Sequence, residues 1–281
     1  MIIILVAIPM FVLFLVIEAI SYKYLPADDE LGYELRDTAT SLSMGLGSRV
    51  WGLLWDVVAL LGLSAVYALS PLRIDMSHWW AWVLLLFGED LCYYAFHRGS
   101  HRIRLFWASH VVHHSSQRYN FSTALRQEWT GLGTFIFWIP LAAVGFPVWA
   151  IYVQQSVSLL YQFFLHTERI DKLPRMIEAV MNTPSHHRVH HGVNNHYLDK
   201  NYAGILIIWD RLLGTFEPEV ERPRYGITTQ LTTYNPLRVG FHEWCSIGHD
   251  VRQASHLRDR VGYVLRGPGW APATSDRAVA A

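Results

Sequence analysis

The distribution of histidine is the feature of this sequence that most limits how the chain can fold. Eleven of its 15 histidines lie between positions 97 and 196. Eight of these form an H-x3-H box and two H-x2-HH boxes, at His97 and His101, at His110, His113 and His114, and at His187, His190 and His191. Residues three or four apart share one face of a helix, so each box can present several imidazoles together. The fold must therefore bring three distant helical segments to one place.

The composition of the boxes favours two metal ions. Imidazole nitrogen suits Fe, Zn, Cu and Ni. Eight histidines exceed the three or four ligands that one zinc takes. The only cysteines, Cys92 and Cys245, stand alone, which argues against iron–sulfur and copper(I) sites. The chain has neither an H-E-x-x-H motif nor the Glu-x-x-His pattern of ferritin-like proteins. A nitrogen-rich pair of irons is the prediction that fits best, with oxygen chemistry on a lipid.

The remaining composition is that of a membrane protein. Hydrophobic residues make up 52% of the chain and charged residues 16%, against about 25% in soluble domains. The formal net charge is zero, which argues against nucleic acid as a partner. Residues 1–20 are almost entirely apolar and long enough to span a bilayer. A cleaved signal peptide would need a basic residue before its apolar segment, and none precedes Lys23. We therefore predict a retained transmembrane helix.

Further apolar segments predict an all-α integral membrane bundle of about four to five membrane segments. A second span is expected over residues 46–70 and a third over 78–96, which leads directly into His97. The apolar region 132–165 is interrupted at Pro140 and at 145–147. It is predicted to be a hairpin of short helices, and the sequence leaves open whether it forms one membrane segment or two.

The predicted hairpin places all three boxes on one side of the membrane, as a histidine-rich helical cap. Five arginines between positions 97 and 128 assign that side to the cytoplasm, of a bacterial inner membrane or the endoplasmic reticulum. We therefore divide the chain into a transmembrane helix (1–20), a membrane metal-binding domain (21–220) and a polar cytoplasmic tail (221–281). The tail is expected to hold an amphipathic helix near 238–260 and to be disordered after about 274.

Four stretches of the sequence carry a family resemblance. They are E-D-L-C-Y-Y-A-F-H-R-G-S-H from residue 89, F-W-A-S-H-V-V-H-H-S-S from 106, N-T-P-S-H-H-R-V-H-H-G-V-N from 182 and L-D-K-N-Y-A-G-I-L-I-I-W-D-R-L-L-G-T-F from 198. With them the chain resembles the fatty acid hydroxylase superfamily, which includes sterol desaturases, C-4 methylsterol oxidases and alkylglycerol monooxygenases. The segment Y-N-F-S-T-A-L-R at 119–126 is most similar to the alkylglycerol monooxygenase and bacterial sterol-desaturase-like branch.

The resemblance implies a non-haem di-iron centre and a set of ligands for it. The family usually has one more histidine between its second and third boxes, and His166 fits that place. His186 is adjacent to the third box and is a further candidate, although on a helix it would point away from His187. The candidate ligands are thus His97, His101, His110, His113, His114, His166, His187, His190 and His191, with His186 as the additional one.

Several polar residues are expected to support these ligands rather than to bind metal. Asp90 lies two helical turns before His97 and could orient its imidazole, unless it is a helix-end carboxylate facing the polar interface. Asp199 and Asn201 are expected to cap or orient the third box. Asn120 and Arg126 are expected to contact the substrate or to hold the second box in place.

The predicted activity is O2-dependent hydroxylation or desaturation of a lipid such as a sterol, a fatty acyl chain or an alkyl ether lipid. Electrons would come from outside, because the chain has no G-x-G-x-x-G or haem motif. The resemblance implies cytochrome b5, ferredoxin or tetrahydrobiopterin as donor. Two alternatives are a metal-binding transporter or sensor, with ligands at mid-membrane, and a di-zinc membrane hydrolase, which would need no O2. The sequence leaves the lipid, the donor and the oligomeric state open.

Overall fold

The computed structural model of the protein describes residues 2–27, 29–131 and 133–273, and these residues form helices and loops without a β-strand. The all-α prediction is confirmed. The end after 274, predicted to be disordered, lies outside the described residues. The helices are α1 Ile2–Tyr24, α2 Leu35–Leu69, α3 Trp79–Arg102, α4 Arg104–His114, α5 Phe121–Ala124, a 3-10 helix Thr134–Trp138, α6 Ile139–Ala143, α7 Val148–Phe163, α8 Arg175–Val180, α9 Pro184–His190, α10 Ile208–Leu213, α11 Pro236–Gln253 and α12 Leu257–Leu265.

Among the described helices, two are long and apolar enough to cross a membrane. One is Val6–Tyr24 within α1, and the other is α2. Only 11% of the most apolar stretch of the first, and 6% of that of the second, is buried inside the protein. Helix α2 begins well before the predicted start at residue 46, because Glu34 caps it. The Glu34 carboxylate accepts the backbone N–H groups of Arg36 and Asp37, at 3.1 and 2.7 Å. Residues 35–45, which precede the predicted second span, are therefore helical.

The predicted third span, 78–96, lies within the longer helix α3. Glu89 and Asp90 on this helix are both completely buried. The helix continues without a break through His97 and His101, so the first histidine box extends the same rigid element. The number of membrane segments stays a prediction.

The apolar region 132–165 is divided into the 3-10 helix, α6 and α7, with a tight turn between α6 and α7. Gly145 in this turn has φ +98°, and a Cβ there would lie 2.6 Å from the carbonyl carbon of Leu72. The break that the sequence indicated at 145–147 therefore needs glycine for two reasons, a left-handed backbone and a close contact. Leu141 and Ile151 on either side of the turn pack into the main core with Leu85.

Helix α1 is attached to the rest of the protein by a buried acid that the sequence interpretation did not single out. Glu18 accepts hydrogen bonds from the backbone N–H of Phe121 (2.8 Å), the Tyr33 hydroxyl (2.5 Å) and the Thr167 hydroxyl. Thr167 directly follows His166 in the chain. These contacts fix α1 against the start of α5 and the segment after α7.

The segment after residue 221 packs on the helices that carry the histidines. Arg104 at the start of α4 donates to Glu243 (2.6 Å) and Asp250 (2.8 Å) on α11. Val239 of α11 packs with Met44 and Val112 in a small core. The predicted amphipathic helix at 238–260 corresponds to two helices, α11 and α12. The domain boundaries at 20 and 220 stay predictions.

Candidate metal centre

Nine of the ten histidines proposed as ligands converge into two groups. In each group, one nitrogen from every ring lies within 4.8 Å of the others, and all the rings are buried. The first histidine group contains His97, His101, His110, His114 and His190. The second histidine group contains His113, His166, His187 and His191.

Helix geometry explains how each H-x2-HH box serves both groups. Two histidines four residues apart share a helix face, and the histidine between them points to a neighbouring direction. In the second box the pair at four-residue spacing faces the first group, and in the third box it faces the second group. In the second box, His110 and His114 thus belong to the first group and His113 to the second. In the third box, His187 and His191 belong to the second group and His190 to the first.

The ring nitrogens within each group approach one another at distances typical of ligands on one ion. In the first group, Nε2 of His110 lies 3.0 Å from Nε2 of His97 and 3.1 Å from Nε2 of His114. Two nitrogens bound at right angles to one first-row ion at about 2.1 Å would be about 3.0 Å apart. The spacing therefore suits a shared ion better than a packed cluster of aromatic rings.

Backbone carbonyls fix the tautomers of four rings, so that Nε2 faces the other histidines. The Nδ1–H of His97 donates to the carbonyl of Tyr202 (2.8 Å), and that of His190 donates to Lys200 (2.9 Å). In the second group, His113 donates to Arg126 (3.3 Å) and His166 to Gln162 (2.8 Å). A neutral imidazole with Nδ1–H has a lone pair on Nε2. These are the second contacts that usually orient a metal-bound histidine.

The pair His113 and His166 gives the sharpest test of whether a metal fits. Both rings donate from Nδ1, so both Nε2 atoms carry lone pairs, and these atoms lie 3.1 Å apart. Two acceptors at this distance repel each other unless a proton or a cation lies between them. Burial lowers the pKa of His113 to about 4 and that of His166 well below its usual value, so neither ring holds an extra proton near neutral pH. A cation satisfies both nitrogens.

Unpaired ring atoms support the same conclusion. Nε2 of His101 and Nε2 of His191 are buried without a hydrogen-bond partner in the described part of the chain. A buried polar atom without a partner costs about 1–3 kcal/mol. Desolvation also holds the pKa values of His187, His190 and His191 well below their usual range, which leaves neutral rings with lone pairs for a metal. The donor set therefore fits two first-row transition-metal ions.

His186, the additional candidate ligand, points away from both groups. Its Nε2 lies 2.9 Å from a carboxylate oxygen of Glu178. The helical argument made from the sequence gives the reason, because adjacent residues on α9 cannot face the same side.

Asp90 does not contact His97, in contrast to its expected role. Its carboxylate accepts the backbone N–H groups of Ile205 (2.7 Å) and Leu206 (2.9 Å), and the indole N–H of Trp209 (3.0 Å). The prediction of a direct contact is wrong, because the two-turn spacing gave the face of α3 but not the segment packed against it. Asp90 instead holds the loop that follows Tyr202, whose carbonyl binds His97.

Asn201 and Asp199, both predicted to support the third box, lie against different boxes. Asn201, in the left-handed region at φ +54°, donates to the His186 carbonyl in the third box (3.0 Å) and to the Glu217 carbonyl (2.8 Å). Asp199 lies beside the first box instead, with a carboxylate oxygen 3.7 Å from Nδ1 of His101 and another 2.9 Å from Arg102.

Arg126 and Asn120 both hold the segment around the second box. The Arg126 guanidinium donates to the Val112 carbonyl (3.2 Å) and to Asp37 (3.1 Å), while its own carbonyl accepts from His113. Asn120 caps α5 by accepting from the backbone N–H of Ser122 (3.0 Å). Their contacts within the protein favour the anchoring role over the substrate-contact role.

Gly204 permits the close approach of the loop to α3, and we expect Gly204→Ala to destabilise the protein. A Cβ at this position would lie 2.8 Å from Oδ1 of Asp90 and 2.9 Å from a ring carbon of Tyr93. Overpacking of this kind costs about 1–3 kcal/mol. Thermal unfolding should show a lower midpoint for G204A, whereas Gly248→Ala, with no atom near its Cβ, should not lower it. Equal midpoints for the two variants would contradict the tight contact.

Two cavities lie near the histidine groups. One, of about 260 Å³, lies among α2, α3, α7 and the 127–138 segment, and Tyr93 and Phe96 line it just before His97. The other, of about 240 Å³, is lined by histidines of both groups together with the 226–228 and 268–269 loops. The second cavity therefore gives access to both groups from the side of the polar loops, whereas the first cavity ends at Tyr93, whose ring is 5.4 Å from that of His97.

Comparison with known proteins gives a consistent result. The family model described as fatty acid hydroxylase matches residues 82–215. Alkylglycerol monooxygenase of Homo sapiens is 43% identical over 243 residues, which cover 85% of this chain and 54% of that protein. The corresponding enzyme of Danio rerio is 41% identical over 242 residues, or 85% of the chain and 54% of the relative.

A bacterial relative is more distant. Ornithine lipid hydroxylase OlsE of Rhizobium tropici is 29% identical over 195 residues, 62% of this chain and 57% of that protein. The chain thus spans about half the length of the curated relatives it matches. No solved structure matches the chain.

Proposed function

Because the chain belongs to the fatty acid hydroxylase family, we propose that it is a membrane-bound monooxygenase that hydroxylates a lipid with O2 and electrons from an external donor. The relatives named above, alkylglycerol monooxygenase and ornithine lipid hydroxylase, both act on lipids by name. They favour hydroxylation over desaturation. An alkyl ether lipid is the first substrate to test. Sterol desaturation stays an expectation from the sequence.

Two irons are the cofactors that we propose, one in each histidine group. The first would be held by five imidazoles and the second by four, from the groups defined above. Imidazole-rich donor sets without thiolates suit iron as well as zinc, and of these two metals only iron can supply the O2-dependent redox chemistry that attack on an unactivated C–H bond requires. The observation that carries the assignment of metal is the pair of facing lone pairs on His113 and His166, 3.1 Å apart.

The residues of the chain would perform the remaining tasks. The carbonyls of Tyr202, Lys200, Arg126 and Gln162 hold rings in the orientation that directs Nε2 inward. Tight packing of the histidine rings keeps bulk water from the centre, since every ring is buried. The cavity beside α2 would admit the substrate lipid, and Tyr93, whose ring is 5.4 Å from that of His97, would bound the place of reaction.

The membrane arrangement is part of the proposal. Helices α1 and α2 would cross the bilayer, and both histidine groups would lie at its cytoplasmic face. The basic residues near the groups support this orientation by the positive-inside rule; they are Arg98, Arg102, Arg104, Arg118 and Arg126.

Metal analysis combined with an activity assay tests the proposal. Protein purified in detergent should contain about two irons per chain, and should convert 1-O-hexadecylglycerol to an oxygenated product only when O2 and a reductant are present. The same sample under argon serves as the control. Two zincs with turnover under argon would contradict the proposal and favour a hydrolase. Metal uptake into proteoliposomes without lipid turnover would favour a transporter.

A further inference from the structure

The cavity among α2, α3 and α7 contains more acid than its place among apolar helices requires. Three carboxyl groups line it, those of Asp56, Glu89 and Glu128, against a single basic side chain, Arg49. A cavity that received only a hydrocarbon chain would have no use for these groups, because unpaired buried carboxyls are costly. The lining therefore indicates a ligand with polar atoms of its own.

Glu89 is the group that points most directly to such a ligand. It is completely buried, and the indole N–H of Trp138 donates to its Oε1 at 3.1 Å. Its other oxygen, Oε2, has no hydrogen-bond partner among the described residues. Since Glu89 also lines the cavity, a polar group inside the cavity is the partner that this oxygen lacks.

The position of Glu89 connects this polar spot with the histidine centre. Glu89, Tyr93 and His97 follow one another at four-residue intervals on α3, so they form a row along one helix face. Tyr93 lies between the cavity and the centre, and both Glu89 and Glu128 are close enough to its hydroxyl to interact with it electrostatically. A ligand bound at the two glutamates would therefore lie next to the first histidine group.

We infer that Glu89, assisted by Glu128, forms a head-group subsite that selects lipids carrying O–H or N–H donors. The inference rests on the proposed lipid hydroxylation and specifies its substrate class. The polar head of the lipid, rather than the end of its hydrocarbon chain, occupies the cavity beside Tyr93. Glu89 is then a specificity-determining residue that contacts the substrate and does not bind the metals.

Equilibrium binding to the purified protein in nanodiscs tests the subsite independently of turnover. Tritiated 1-O-hexadecylglycerol is displaced by unlabelled hexadecylglycerol, by hexadecylamine or by hexadecyl methyl ether, which has no donor. We expect a donor-bearing lipid to bind about tenfold more tightly than the methyl ether, the ratio expected for one buried hydrogen bond to a carboxyl group. A preference for the glycerol lipid identifies a hydroxyl head, and a preference for the amine identifies an ammonium head. Equal binding of all three overturns the inference.

Two variants assign the preference to Glu89. Glu89→Leu should remove the preference while leaving the affinity for the methyl ether unchanged. In Glu89→Gln the amide oxygen must face the Trp138 N–H, which can only donate, so the amide NH2 faces the cavity. This NH2 can donate to the oxygen of a hydroxyl or of the methyl ether alike, but it cannot accept from a hydroxyl or an ammonium group. Glu89→Gln should therefore lose the preference for either donor-bearing lipid over the methyl ether.

The control is Asp75→Asn, which removes an exposed acid before the start of α3, outside the cavity. It should bind the three lipids as the wild type does. A preference that persists in Glu89→Leu overturns the assignment. Iron content, measured on the same samples, separates the two proposals. Two irons without a lipid preference would contradict only the head-group subsite. A lipid preference without iron or O2-dependent product would contradict only the monooxygenase activity.

Discussion

His187→Ala should lose the metal of the second histidine group, whereas His186→Ala, one residue away, should keep both metals. His187 places its Nε2 3.1 Å from Nε2 of His166, inside the second group. His186 instead pairs with Glu178 on the other side of α9. We expect the iron content of H187A to fall by about half after treatment with a chelator. Its activity should fall by more than about 100-fold, since loss of an outer contact to a ligand alone costs 10–100-fold.

The two substitutions remove the same side chain from the same short helix, so effects on folding are matched closely. Both histidines are buried, at 1% and 2% exposure, which makes the comparison fair. Atomic absorption after gel filtration gives the stoichiometry, and circular dichroism verifies that both variants are helical. Equal iron loss in H186A and H187A would contradict the division of the third box that the structure shows.

Asp90→Ala should be the most destabilising substitution of an acid on α3, without removing a metal ligand. Three donors would lose their acceptor, the buried backbone N–H groups of Ile205 and Leu206 and the part-buried indole N–H of Trp209. Each unsatisfied donor costs about 1–3 kcal/mol, so the free energy of unfolding should fall by at least about 3 kcal/mol. For a chain of this size the midpoint of thermal unfolding should fall by about 6–12 °C.

The exposed acid Asp75 again provides the control, because its side chain is 68% exposed and its removal should leave the midpoint unchanged. Iron content measured at low temperature should be close to that of the wild type, since Asp90 touches no histidine of either group. A variant that lost iron with an unchanged unfolding midpoint would restore the direct ligand-orienting role that the sequence predicted.

The sequence predicted the helical class and the candidate ligands because both depend on local spacing. The helical period of 3.6 residues shows which histidines of a box such as His110 to His114 share a helix face. The long apolar helices α1 and α2 are recognised from the composition of the sequence alone. The sequence kept His186 as an additional candidate, although the same period indicated that it would point away from His187, and its pairing with Glu178 agrees with that direction. The early start of α2 was missed because the Glu34 cap precedes a polar first turn rather than an apolar one.

The contacts that fix the rings could not be predicted in this way. The carbonyls of Tyr202, Lys200 and Gln162 carry no side-chain signal, since every residue has the same carbonyl group. Glu18 offered one signal that was not used, an acid inside the first apolar helix, where acids are rare without a buried partner.

The sequence by itself determined which histidines lie on common helix faces, that there are enough of them for two ions, and that the surrounding helices are apolar. Only the tertiary structure decided how the boxes divide between the two groups and what the acids on α3 contact. The spacing of a histidine box fixes the directions in which its side chains point around the helix axis. Which residues those side chains meet depends on how the helices pack. His110 and His190 therefore share the first group although 80 positions separate them in the chain, and Asp90 holds a loop 115 residues away instead of its neighbour His97.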